Sequence, residues 1–164
     1  MNKTIIYTVI TGNYDTIKQP LVVEEGVEYV LFTNNPKIIE AGVWKVVQIL
    51  SEQWQGRTER ENNILLSRKV KMLAHKYLPD DAEWGFEDDL GISENGLLIR
   101  RHNDARVIAL MELWWEEYQK GCLRDQVSLM PCMYRTDFMP YFQFIEMDIR
   151  KNEFVEVMRH KVDK

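Results

Sequence analysis

The run Thr4–Ile10, TIIYTVI, stops abruptly at Thr11-Gly12. A near-continuous stretch of β-branched and aromatic residues has no polar alternation and so no face to offer to water. It reads as a strand buried on both faces, the condition of strands in parallel sheets. Two further runs repeat the pattern. VEYVLFT, 27–33, is closed by Asn34-Asn35-Pro36, and WKVVQIL, 44–50, comes shortly after. The segment NYDTIKQPL between the first two runs is too short for a long helix and predicts a loop with a turn or two. The expectation is an α/β sheet joined by turns and a crossover.

A length of 164 residues with 45% hydrophobic side chains suits one domain, 1–164, with a real core. No apolar run approaches the roughly 18 residues of a membrane helix. The start Met-Asn-Lys lacks a secretory apolar region, so a cytoplasmic protein without a membrane span is expected. A net charge of −5 argues against nonspecific nucleic-acid binding. Cys122 and Cys132 have no Cys or His at metal-ligand spacing and read as buried or idle thiols.

Residues 57–78 predict a helix with the apolar stripe Leu66, Val70, Leu73 and Tyr77, stopped by Pro79. Arg68, Lys71 and His75 lie opposite. They form either a solvated face or, with Ile64 and Met72 beside them, the border of a cleft. An Arg and a Lys one turn apart suit a diphosphate. LLIRRHN, 97–103, predicts a short strand, after which Asn103 or Asp104 caps a helix that ends at Gly121. Its buried stripe is Val107, Met111, Trp114 and Tyr118, widened by Ile108 and Trp115. Arg124, Asp125 and Gln126 open another short helix. A carboxylate held by an Arg beside an amide would grip sugar hydroxyls or serve as a base. GFEDDLGISENG, between the two long elements, shows neither a strand nor a helix period. The C-terminal alternating runs predict edge strands or a hairpin near Lys151-Asn152.

In open α/β sheets, ligands bind at the carboxyl ends of strands, so the turn Thr11-Gly12-Asn13-Tyr14-Asp15 falls on the ligand edge. Gly12 would admit close backbone approach, Tyr14 would stack on a base, and Asp15 would accept from a ribose or cap the succeeding turn. An ordinary strand-ending turn uses the same residue types.

Five segments, in order, resemble a glycosyltransferase-like domain family of bacteria and plants associated with pectin and mucilage synthesis. They are YTVITGNYDTIKQP, VEYVLFTNNP, SRKVKMLAHKYLP, SENGLLIRRHN and WWEEYQKGCLRDQVS. The resemblance spans most of residues 4–130. It implies a three-layer α/β/α, A-type glycosyltransferase fold that uses a nucleotide-sugar donor, a saccharide or other hydroxyl acceptor and a divalent metal, Mn²⁺ or Mg²⁺. By that resemblance Thr11, Gly12, Tyr14 and Asp15 line the nucleotide site, and Arg68, Lys71 and His75 face the diphosphate and sugar. Arg101, His102, Asp125 and Gln126 border the acceptor. Asp125 is the expected base or sugar anchor, with His102 second.

The family pattern then breaks. Relatives continue from the HKYLP segment into a strand reading Trp-x-Asp-Gly, whose aspartate serves the metal, whereas here Trp84 runs into Gly85-Phe86. The sequence therefore predicts a shortened domain lacking that strand, with Asp88 and Asp89 as substitute metal carboxylates beside Glu83 and Glu87. Three readings stand: an active compact transferase, a degenerate nucleotide- or sugar-binding module, and an assembly module. A homodimer covering an exposed sheet edge fits the shortened form.

Overall fold

The computed structural model describes residues 3–80, 82–88, 97–120 and 125–143, with backbone alone for 82–88, 97, 125–127 and 130. Three parallel strands come first: β1 (Lys3–Val9), β2 (Val27–Thr33) and β3 (Lys45–Gln48). Helix α1 (Glu59–Met72) and a 3-10 turn (Ala74–Lys76) cross back to β4 (Ala82–Asp88). Strand β5 (Leu97–Arg100), α2 (Ala105–Lys120) and α3 (Asp125–Arg135) complete the order. The sheet order is β3-β2-β1-β4-β5; β4 runs parallel to β1, and β5 is antiparallel to β4.

The β1 register explains the unbroken apolar run. Ile5, Tyr7 and Val9 face α1, where they meet Val30, Phe32, Leu66, Val70 and Ala74. Ile6 and Ile10 point the other way, toward Tyr29, Leu31, Ala41 and Trp44. The α1 face is therefore fully buried and the other only half-buried, less than the expected burial on both faces. The second face is covered by the segments 10–26 and 34–44 rather than by a helix. Gln19 donates to the Ala41 carbonyl at 3.1 Å, and Trp44 Nε1 donates to the Lys18 carbonyl at 2.7 Å, holding the two segments together. Among the described residues, helices lie on one side of the sheet only.

Helix α1 is buried along two stripes. Leu66 and Val70 pack on the sheet, whereas Leu65, Met72 and Leu73 join Leu110, Trp114, Tyr118 and Met133 of α2 and α3. The side carrying Arg68, Lys71 and His75, read as either a solvated face or the border of a cleft, is partly interior: Lys71 is 6% exposed and Met72 beside it 2%. Trp54 and Tyr77 touch both cores and tie the layers together. The expected stripe of α2 is present, with Leu110 added to it, and the helix ends at Lys120. Asp104 Oδ1 accepts from the Arg106 amide at 2.9 Å and so stands at the head of the helix. Cys132 is buried in the same core, where burial pushes its thiol up.

One expectation is overturned. Residues 82–88, where the family's strand was expected to be missing, form β4 between β1 and β5, paired with β1 from Lys3 to Tyr7. Parallel pairing on one side and antiparallel pairing on the other satisfy its backbone. Asp89, Cys122, Arg124 and the C-terminal alternating runs lie outside the described residues. Among the described residues no helix is long and apolar enough to cross a membrane.

Candidate functional site

The carboxyl ends of β1, β2 and β3 and the first turns of α1 enclose a cleft of about 610 Å³. Gly12 and Asn13 come from β1, Asn34 to Lys37 from β2, and Ser51 to Gln53 from the segment after β3. Arg57, Glu59, Asn62 and Asn63 come from the start of α1. The sheet places a cleft here because the connection after β1 moves toward β2 and β3, while the later crossover by α1 returns to β4 on the other side of β1. Loops diverge at such a reversal.

Asparagine amides hold the cleft in shape. Asn34 Oδ1 accepts from the Gly12 amide at 2.6 Å, and its Nδ2 donates to Ser51 Oγ and Asn63 Oδ1, both at 2.9 Å. Asn35 Nδ2 donates to the Gly12 carbonyl at 3.2 Å and to Asn13 Oδ1 at 2.9 Å. Thr11 Oγ1 donates to the Asn63 carbonyl at 2.8 Å, fastening β1 to α1. Gly12 has φ of +62°, and a Cβ there would come within 2.7 Å of Asn63 Nδ2. Glycine is therefore required twice, by the left-handed backbone and by the amide beneath it.

With Asn34 consumed by this network, the lining still offers the Gln53 amide, Ser51 Oγ, Asn62 Nδ2, the Glu59 carboxylate and the Arg57 and Lys37 cations. Asn62 Oδ1 is already taken by the Trp54 amide at 3.0 Å. Charges at the wall are largely matched. Lys69 holds Glu52 at 2.6 Å, and Arg57 lies 3.5 Å from Glu61. Such a wall suits a neutral, hydroxyl- or amide-rich ligand, with Lys37 as a point charge for an anionic end. Glu61 also completes a capping box with Thr58, whose backbone amide donates to its carboxylate at 2.8 Å and holds its pKa below the usual carboxylate value.

The residues singled out from the sequence separate into two ends of the sheet. Gly12 lines the cleft, and the buried Thr11 before it is bonded to Asn63. Tyr14 is 52% exposed beside it, and Asp15 accepts from the Thr16 amide at 2.7 Å. Asp88 closes β4, one residue past Glu87, the partner of Tyr7 in the register, and so lies at the same carboxyl edge. Helix α2 runs from Asp80, whose carbonyl accepts from Asn103 at 3.0 Å, toward Trp54, whose ring lies 6.3 Å from Trp115. Asp125 and Gln126 open the helix that follows α2.

Arg101, His102 and His75 lie at the opposite, amino edge of the sheet. His102 is 1% exposed and so does not border the cleft. Burial, before the nearby Arg100, pushes its imidazole below the ordinary value. His75 Nε2 lies 3.4 Å from Glu112, and burial likewise lowers its pKa. Lys71 sits about 12 Å along α1 from Asn63. Its carbonyl accepts from the Tyr7 hydroxyl at 3.2 Å and from the Arg100 guanidinium.

Sequence reasoning did not single out Asn34, Asn35, Asn62, Asn63 or Lys37. Asn34-Asn35-Pro36 was legible only as a turn. Two consecutive asparagines inside a helical pattern were the available signal, since such side chains disfavour helix interiors unless they bond elsewhere. Among the described residues no group of three His, Cys, Asp or Glu side chains is placed to hold a metal. Compared with known protein families, with curated proteins and with solved structures, the chain shows no match.

Proposed function

We propose that this chain is a compact glycosyltransferase of the A-type fold, moving a sugar from a nucleotide-sugar donor to a saccharide hydroxyl. One observation carries the reading. Two of the five family-like segments, YTVITGNYDTIKQP and VEYVLFTNNP, meet at the carboxyl edge and contribute Gly12, Asn13 and Asn34 to Pro36 to the cleft, with Asp88 at the same edge of the neighbouring strand.

Glycosyl transfer asks a protein to place an acceptor hydroxyl against the anomeric carbon, receive its proton, and stabilise charge on the departing diphosphate. The cleft amides would hold the nucleoside. Lys37 and Arg57, rather than the buried Lys71, are the cations that line the cleft, and Arg68 and Lys71 lie further down α1. Asp125 would take the proton as the hydroxyl oxygen bonds to the anomeric carbon and the bond to the diphosphate oxygen breaks. Asp88 has the hard oxygen chemistry of a Mg²⁺ or Mn²⁺ ligand and ends the strand beside β1, with Asp89 next in sequence. A bound divalent ion would supply further positive charge to the diphosphate.

The test is thermal melting with UDP, GDP, CMP and their sugars, each with Mn²⁺ or with EDTA. A ligand held at about 100 times its Kd adds roughly 2.7 kcal/mol, a readable shift. A shift that EDTA abolishes, joined by sugar release, is the expected result. A shift without turnover would leave the chain a binding module, and no shift with any nucleotide would remove the donor-site reading. Lys37→Ala should weaken the nucleotide more than the nucleoside. If Lys71→Ala also binds nucleotide as wild type does, Lys71 has no part in the site.

A further inference from the structure

We infer that the joint between β5 and α2 is an acid-sensitive clasp with His102 as its trigger. This rests on the amino edge of the sheet and is independent of the donor cleft. His102 is buried, and neither Nδ1 nor Nε2 has a hydrogen-bond partner of good geometry. A neutral imidazole has one N–H to give and one lone pair to fill, and leaving both dry in an interior is unfavourable. The Pro79 carbonyl lies near the ring without the geometry of a hydrogen bond, so a second proton is poorly accommodated.

The charges around the ring make the proton less welcome still. Arg100, two residues earlier, is itself buried, and its guanidinium reaches the Tyr7 hydroxyl at 2.6 Å, Met111 Sδ at 3.3 Å and the Lys71 carbonyl. The short turn after α1 contributes His75 and the exposed Lys76, and Arg101 is the exposed neighbour in the chain. Among the described residues the opposing carboxylates are Glu112 on α2 and Asp80 before β4. Glu112 is already held by Lys76 at 2.6 Å and approached by His75 at 3.4 Å. Asp80 is exposed, so water screens it. Burial and Arg100 both act to keep His102 neutral, with only the Pro79 carbonyl and Asp80 opposing them.

Below the ordinary value of 6.5 the unfolded chain binds a proton that the closed fold refuses. Stability is therefore whole above that pH and declines as pH falls toward the lowered pKa of the folded state. The unfolding constant should rise by up to about tenfold per pH unit across this window. The protonated ring gains water most directly if the 101–104 turn lifts from the Pro79–Asp80 turn, freeing the start of α2. The device would thus open one joint before the sheet fails.

Two measurements on the full chain test this. In wild type, the His102 ring proton followed by NMR should titrate below pH 6.5, and amides 101–108 should lose hydrogen-exchange protection at pH 5 relative to pH 7 after correction for intrinsic rates. His102→Leu fills the site without a titrating group and should melt at pH 7 no lower than wild type while losing this acid dependence. A His102 that titrates at or above 6.5 overturns the inference, a result that needs no variant to fold. So does a His102→Leu protein with an unchanged acid response.

Discussion

Gly12 is the residue on which the cleft turns, and its two constraints can be separated. Gly26 also has positive φ, +80°, but a Cβ there meets nothing within 4 Å. Gly26→Ala should therefore cost only the backbone preference, about 1 kcal/mol. Gly12→Ala bears the same cost and also displaces Asn63, which anchors Asn34, so its loss should be about 2–3 kcal/mol. Denaturant titration of both variants checks the difference. Equal losses would mean that Asn63 yields freely and that the amide network is soft. Thr11 and Gly12 were legible because a strand of this composition must end at a loop, and a loop with glycine marks a ligand edge. Asn34 and Asn63 were not, because their role comes from meeting each other across 29 residues of chain.

Elements were readable where local chemistry decides them. Helix α1 opens with Thr58 and Glu61 in a reciprocal cap, and α2 opens with Asp104. Thr58→Ala should lower stability by about 1 kcal/mol. The loss should be smaller in acid. Glu61 has a lowered pKa in the fold, so its share of the cap is present above the ordinary value of 4.5 and disappears as pH falls through the folded value. Asp104, bound by the Arg106 side chain and amide, is held at about 2, so the first turn of α2 should stay capped at pH 3. Its carboxyl carbon titrating near 3.8 by NMR would break that assignment. Strand β4 shows the limit of such reading. In AEWGFED, Ala82, Trp84 and Phe86 alternate with Glu83, Gly85 and Glu87, but the run is short and ends in acidic residues. Its pairing partners, β1 and β5, are not written in a local window.

At the scale of the whole molecule, the sequence pattern predicts helices and strands but not how they share a core. Leu65 and Leu66 are neighbours in α1, yet one packs against α2 and α3 and the other against the sheet. A helix committed on both sides cannot release one layer and keep the other intact. Arg100 adds a second link, since it reaches from β5 to β1 through the Tyr7 hydroxyl and to α1 through the Lys71 carbonyl. Leu65→Ala and Leu66→Ala should each cost about 2–5 kcal/mol, although they open cavities in different layers. Urea unfolding monitored by tryptophan fluorescence and by far-UV circular dichroism should then give coincident curves for wild type and for both variants. Trp114 and Trp115 lie in the helical layer, Trp54 between the two cores, and Trp44 and Trp84 with the sheet. Fluorescence therefore weights the helical layer without being confined to it, whereas the dichroism reports on the backbone of helices and sheet together. If the fluorescence curve of Leu65→Ala moves to lower urea while the dichroism stays behind, α2 and α3 separate on their own and α1 belongs to the sheet. Coincidence would instead mean that damage on either side of α1 reaches the cleft built on its first turn.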